Sequence, residues 1–272
     1  DKTIKNEKKI MEKNLYISYE LEADVTIPSE YILMMHFLGD IDTNIQEKIK
    51  NYILRIQNEE GGWPLFFNGE SNLSATVKAY YALKLSGVSN SSKQMLKAKN
   101  LILKNGGAEN TNVFTKITLA LFGQLSWKYV PVMPIEIMKL PDWFPFNLYK
   151  ISYWSRTVLV PLLIILYRKP IANNPSGTNI SEVFSNRVLK NKKRKILSYF
   201  FLAIDNVLRK IEPLFPVKNK EDCLKKAYNW TVKRLNGLDG IGGIFPAMVN
   251  SLIALSISSK KDHIKKSIMI RK

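Results

Sequence analysis

The 272-residue chain suits one large domain or two small ones, and its 46% hydrophobic residues suffice for a substantial core. A single cysteine, Cys223, excludes an internal disulfide, and two histidines more than two hundred residues apart exclude a zinc site built on His and Cys alone. The net charge of +18 points to an anionic partner, a membrane surface or a nucleic acid, or to a Lys-rich composition on solvated faces.

Residues 1–20 are polar and Lys-rich, an entry helix or a frayed end without the apolar run of a signal peptide. The first residue is Asp1, so the chain is expected to be a piece of something longer. Pro28 and Ser29 predict a helix start with Glu30 in its first turn; the helix is almost wholly apolar and stops at Gly39. His36 within it reads as a satisfied interior group. Asp40 and Asp42 are either a paired acid or turn residues, and Glu20, Glu22 and Asp24 form a solvent-facing acidic group. An amphipathic helix with Ile45, Ile49, Tyr52, Ile53 and Ile56 on one side leads into RIQNEEGGWPLFFNGESNLSATVKAYYALKL.

That stretch organises the chain. Gly61 and Gly62 can end a helix in the left-handed conformation. Trp63 can plug the core there while its indole N–H finds a carbonyl, and Gln57 can bond to free backbone groups at the turn. Ser71 and Ser74 are capping types before an apolar helix containing Val77, Tyr80, Tyr81, Leu83 and Leu85. Gly106-Gly107 and Gly242-Gly243 repeat the pattern, the latter with Phe245 as its aromatic. Gly62 and Gly107 stand 45 residues apart, within the range of helical repeats.

A Lys-rich helix is predicted over 92–104 and an apolar one from Asn112. Pro131 to Pro145 breaks regular structure yet is apolar, as in an ordered crossing or a surface that meets something greasy. Residues 153–170 are apolar on nearly every side, and Pro161 either kinks a helix or opens a turn. After a polar loop, the basic cluster 187–195 precedes the apolar and aromatic run 196–208. That arrangement fits a helix at an anionic lipid interface, or a core helix after a solvated loop. No apolar stretch is long enough to span a bilayer, and no segment alternates as a strand. The reading is all-α, with roughly ten helices in pairs.

Gln57, Gly61 and Trp63 fit Q-x₃-G-x-W, the repeat signature of triterpene cyclases. ELEADVTIPSEYILMMHFLG, the 51-residue run from Gly106 to Arg156 and GLDGIGGIFPAMVNSLIAL resemble squalene–hopene cyclases, in order and over nearly the whole chain. The resemblance implies an α/α barrel (toroid) of paired helices with Gly-Gly-Trp turns, residues 25–272 being the amino-terminal barrel behind a 1–24 entry segment. It implies protonation of a squalene-like polyene by a D-x-D-D acid, with aromatic faces steadying carbocations and no metal or other cofactor. The acid belongs to the other half of the family. Asp40-Ile41-Asp42-Thr43 does not match it, so no catalytic residue is assigned and the chain alone is expected to be inactive.

By the same resemblance Trp154, Ile244, Phe245 and Pro246 face substrate, and Ile151 and Leu159 narrow its channel. Ordinary barrel packing is the alternative for each. Lys192, Lys193, Arg194, Lys195, Tyr199, Phe200 and Phe201 form the membrane interface, peripheral and on the cytoplasmic side of the inner membrane. The implied partners are a carboxy-terminal catalytic domain in cis or as a separate chain, an anionic membrane, and a second copy in a homodimer, with no nucleic acid. The alternatives are a non-catalytic truncated or split product that binds a partner or an isoprenoid, and a basic helical nucleic-acid binder.

Overall fold

Nine α-helices and no strand form among the described residues of the computed structural model, which are 24–145, 147–185, 196–236 and 240–258, with 196–201 as backbone only. We number the helices α1 (Thr26–Leu38), α2 (Thr43–Arg55), α3 (Leu73–Leu85), α4 (Lys93–Lys104), α5 (Val113–Leu121), α6 (Tyr153–Arg168), α7 (Ile196–Ile211), α8 (Val217–Val232) and α9 (Phe245–Ser258). The entry segment before Asp24 and the basic residues after Ser258 lie outside the described residues.

The helices pack in two layers, as in a helical toroid. Helices α5, α3, α1, α9 and α6 are successive neighbours in one layer; α4 and α2 cover α3 and α1, and α8 covers α6 and α9. Helices α6 and α9 run the same way, since Asn250 Nδ2 donates to the Val158 carbonyl at 3.3 Å while Arg168 and Ser258 share a cleft at the far ends. Helix α8 runs against α6: Tyr167 donates to Glu221 at 3.3 Å near one end, and Val160 and Trp230 line one cleft near the other.

Helix α3 shows why its apolar residues fall at mixed spacing. Ten consecutive residues, Ser74 to Leu83, are buried, so the helix has no solvent face to pattern. Tyr81 meets Phe122 edge-on at 5.3 Å, and Phe37 of α1 meets the same ring at 6.3 Å. The buried Lys78 is neutralised by Glu30 of α1. At the far end of α3, Tyr80 and Lys84 donate to Glu182 Oε1 at 2.9 and 2.5 Å, tying down the loop after α6. Burial, then the adjacent Glu182 carboxylate, pushes the Tyr80 phenol far above its usual range. Desolvation pulls the Glu182 carboxyl up, but bonds from Lys84, its own backbone and Tyr80 outweigh that and hold it below its usual value.

Several helix boundaries differ from the sequence expectation. Helix α1 begins before Pro28, because Asp24 Oδ1 accepts the Thr26 N–H at 2.7 Å and orders the chain earlier. Glu30 serves Lys78 instead of the helix terminus. Asn72 caps α3 through Ala75 N–H at 3.1 Å; Ser71 donates to Glu60 and Ser74 accepts from Asn112 N–H. Asp42 caps α2, accepting Ile45 N–H at 3.0 Å, which gives it a structural role. His36 is partly buried and satisfied, 2.8 Å from Gln46 Oε1.

Pro161 interrupts nothing: α6 is continuous across it. A helix-interior proline lacks an N–H and presses on the preceding turn, and the nearby Val158 carbonyl is the one that Asn250 reaches from α9. The Pro131–Pro145 crossing is ordered by a short 3₁₀ turn, Ile135–Lys139, and followed by a second, Leu148–Lys150, with Ile135 and Leu148 buried. Its tip is the exception, since Trp143 is 76% exposed.

Candidate functional site

The first Gly-Gly-Trp turn is a clamp between α2, α3 and α4. Gln57 Nε2 donates to the Gly61 carbonyl at 2.9 Å and to the Gln94 carbonyl of α4 at 3.0 Å. Gly61 has φ +90°, and a Cβ there would strike the Lys97 Cβ; one on Gly62 would strike Leu101 and Ser71. Trp63 is fully buried, and its indole N–H donates to the Ile53 carbonyl at 2.8 Å. Its backbone N–H and carbonyl pair with Thr76 Oγ1 and Asn72 N–H, which fixes the start of α3. All three motif residues therefore act in the scaffold.

The third turn is built differently. Gly242 (φ +71°) lies against the first turn of α6, where an added Cβ would stand 3.0 Å from Thr157 Oγ1. Phe245 opens α9 partly buried and stacks on Tyr31 of α1 with centroids 6.3 Å apart. It is not a second core plug: α9 starts at the aromatic itself, and the ring stays only partly buried.

This packing brings the expected substrate-facing residues to one end of the α6–α9 pair. Ser152 caps α6 by accepting Ser155 N–H at 3.2 Å, so Trp154 falls in the first turn. Thr157, beside Gly242, donates to the Trp154 carbonyl at 2.7 Å. Trp154 is 56% exposed, Pro246 is exposed, and Ile244 and Phe245 are partly buried. Ile151 and Leu159 flank this turn, partly buried against the core. The end is rich in aromatic faces, and Arg156 lies over the rings of Tyr149 and Tyr153 at 5.2 and 5.9 Å. Sequence reasoning passed over Tyr149, Tyr153 and Arg156, although the YWSR stretch that singled out Trp154 contains two of them.

Of the expected interface, Lys192, Lys193, Arg194 and Lys195 and the side chains of Tyr199, Phe200 and Phe201 lie outside the described residues. The described part of α7 is held to the proline-rich crossing: Asp205 accepts Val132 N–H at 2.7 Å, and Arg209 donates to Asp205 and to the Val130 carbonyl, each at 2.8 Å. Beyond that latch Leu202, Val207, Ile211, Leu214 and Val217 are exposed. No helix among the described residues is long and apolar enough to cross a membrane.

Comparison with known proteins agrees with this architecture. The family model of the squalene–hopene cyclase N-terminal domain matches residues 8–269. The squalene–hopene cyclase of Zymomonas mobilis is 49% identical over 86% of this chain and 36% of its own length. A probable squalene–hopene cyclase of Sinorhizobium fredii is 47% identical over 90% of the chain and 39% of its own length. The squalene–hopene cyclase of Alicyclobacillus acidocaldarius is 34% identical over 89% and 39%. The chain thus spans well under half the length of these relatives. An all-helical layered fold, a Q-x₃-G-x-W clamp at its first turn and a match over nearly every residue together place the chain in the squalene–hopene cyclase family, as its N-terminal domain.

Proposed function

We propose that this chain forms one wall of the hydrocarbon cavity of a triterpene cyclase. Its substrate is a squalene-like polyene, and the general acid is carried on polypeptide outside the chain. The observation that carries the reading is the placement of Trp154 and the 244–246 turn at the same end of α6 and α9, through Thr157 and Gly242. Cyclisation of a polyene passes positive charge along a greasy chain, and an aromatic face stabilises a cation without supplying a base that would end the reaction. Trp154 offers such a face where the fold leaves it uncovered. The wall also excludes water, so the carbocation survives to the next ring closure.

The test is a fusion of this chain to the remainder of the Zymomonas mobilis cyclase, assayed for polyene conversion. Trp154→Ala should lower conversion roughly 30-fold, the equivalent of one desolvated cation–π contact of about 2 kcal/mol, and release incompletely cyclised products. Full conversion to an unchanged product, or loss of the helical fold, would reject the cavity role.

The same reading seats the chain peripherally on an anionic membrane, on the cytoplasmic side of the inner membrane, from which a greasy substrate is drawn. The exposed apolar residues of α7 and the turn after it support this, with the basic cluster 187–195 next to them in sequence. Replacing Lys192, Lys193, Arg194 and Lys195 with Glu should abolish flotation with phosphatidylglycerol vesicles; unchanged flotation would remove the membrane role.

A further inference from the structure

Five arginines lie among the described residues, and four are accounted for. Arg55 and Arg168 are exposed. Arg209 donates to Asp205 and to Val130, and Arg234 to the Trp230 carbonyl. Arg156 differs from all of them. It is partly buried, its Nε is sealed from solvent, and its guanidinium makes no hydrogen bond or ion pair with any described residue. A guanidinium cannot shed its proton, so a partly buried one without an acceptor is unfavourable unless an anion arrives. The faces of Tyr149 and Tyr153 compensate the charge in part and fix the plane of the fork.

The surroundings name the kind of occupant. Trp143, Tyr149, Tyr153 and Trp154 are all exposed, and Lys150 Nζ holds the Trp143 carbonyl at 3.4 Å, keeping the two arms of the crossing together. Exposed tryptophan and tyrosine around an arginine is the composition of an interface centre, not of a solvated surface. Relatives run on well beyond the stretch that this chain matches, and the chain's own charge of +18 favours an acidic partner. We propose that Arg156, set between Tyr149 and Tyr153 beside Trp154, is the anchor that takes a carboxylate from the carboxy-terminal part of the cyclase, through both arms of its fork. This rests on the reading above that such a part closes the cavity. Arg156 is then a positioning residue: it holds the wall that carries Trp154 against the half that carries the acid.

The test compares hydrogen exchange over residues 143–156 in this chain alone and in its fusion to the remainder of the Zymomonas mobilis cyclase, for wild type, Arg156→Lys and Arg156→Ala. The fusion should protect this stretch. Arg156→Lys, which keeps the charge but loses the planar fork, should lower that protection about tenfold, and Arg156→Ala about thirtyfold or more, with the isolated chain unchanged. Protection in the fusion that survives Arg156→Ala overturns the anchor while leaving the closing half in place. No added protection in the wild-type fusion removes the reading beneath it. If Arg156→Ala unfolds the isolated chain, Arg156→Lys decides; if that variant also unfolds it, Arg156 is a packing residue and the anchor is rejected.

Discussion

Trp63→Ala is expected to destabilise the chain by about 3–5 kcal/mol, roughly a 10 °C fall in Tm for a domain of this size. The indole is fully buried, so truncation leaves a large cavity that the surrounding helices can only partly close. It also strips the Ile53 carbonyl of its donor at the end of α2. The clamp transmits the loss, because the Trp63 backbone sets the start of α3 while Gln57 and Gly61 hold the same turn on α4. Trp63→Phe should cost less, since it keeps most of the volume and forfeits one hydrogen bond worth about 1 kcal/mol. Urea melts followed by helical circular dichroism separate the two. A loss below 1 kcal/mol for Trp63→Ala would mean that the motif tryptophan does not hold the scaffold.

The clamp was legible because all its partners lie within about forty residues and follow from residue type. Glycine ends the helix, tryptophan needs both a cavity and a carbonyl, and glutamine can span a turn. Capping was less legible for a reason visible at Ser71, Asn72 and Ser74. All three can cap a helix, and the choice falls to Asn72 because Glu60 and Asn112, distant in sequence, engage the two serines. The same holds for Glu182, which meets Lys84 across 98 positions, and for Glu30, whose partner is 48 positions away. No local pattern encodes such pairs. The third glycine turn misled by analogy: Phe245 occupies the aromatic's place in sequence, but its ring goes to Tyr31 at a helix start. Of the candidate wall, Trp154 and the 244–246 turn were reachable from a family resemblance, whereas Arg156 was not, because only the fold shows that its guanidinium lacks a counter-charge among the described residues.

The Glu30–Lys78 pair between α1 and α3 should respond asymmetrically to truncation. The Lys78 side chain is 7% exposed and that of Glu30 24%, so the two charges depend on each other to different degrees. Glu30→Ala strands an ammonium in the helix layer with little access to water, and should cost about 3–5 kcal/mol. Lys78→Ala leaves a carboxylate that still touches solvent, and should cost less, about 2 kcal/mol. Replacing both, as Glu30→Leu with Lys78→Met, removes the desolvation penalty together with the attraction. It should recover most of the loss, because an apolar pair of similar volume suits a helix buried on every side. Unfolding free energies from urea melts of Glu30→Leu, Lys78→Met and the variant carrying both form a cycle whose coupling term is the test, with the two alanine variants giving the asymmetry. Costs that simply add, or a Lys78→Ala variant less stable than Glu30→Ala, would show that solvent reaches this layer. Helices α1 and α3 would then meet across a wet seam and not a dry core.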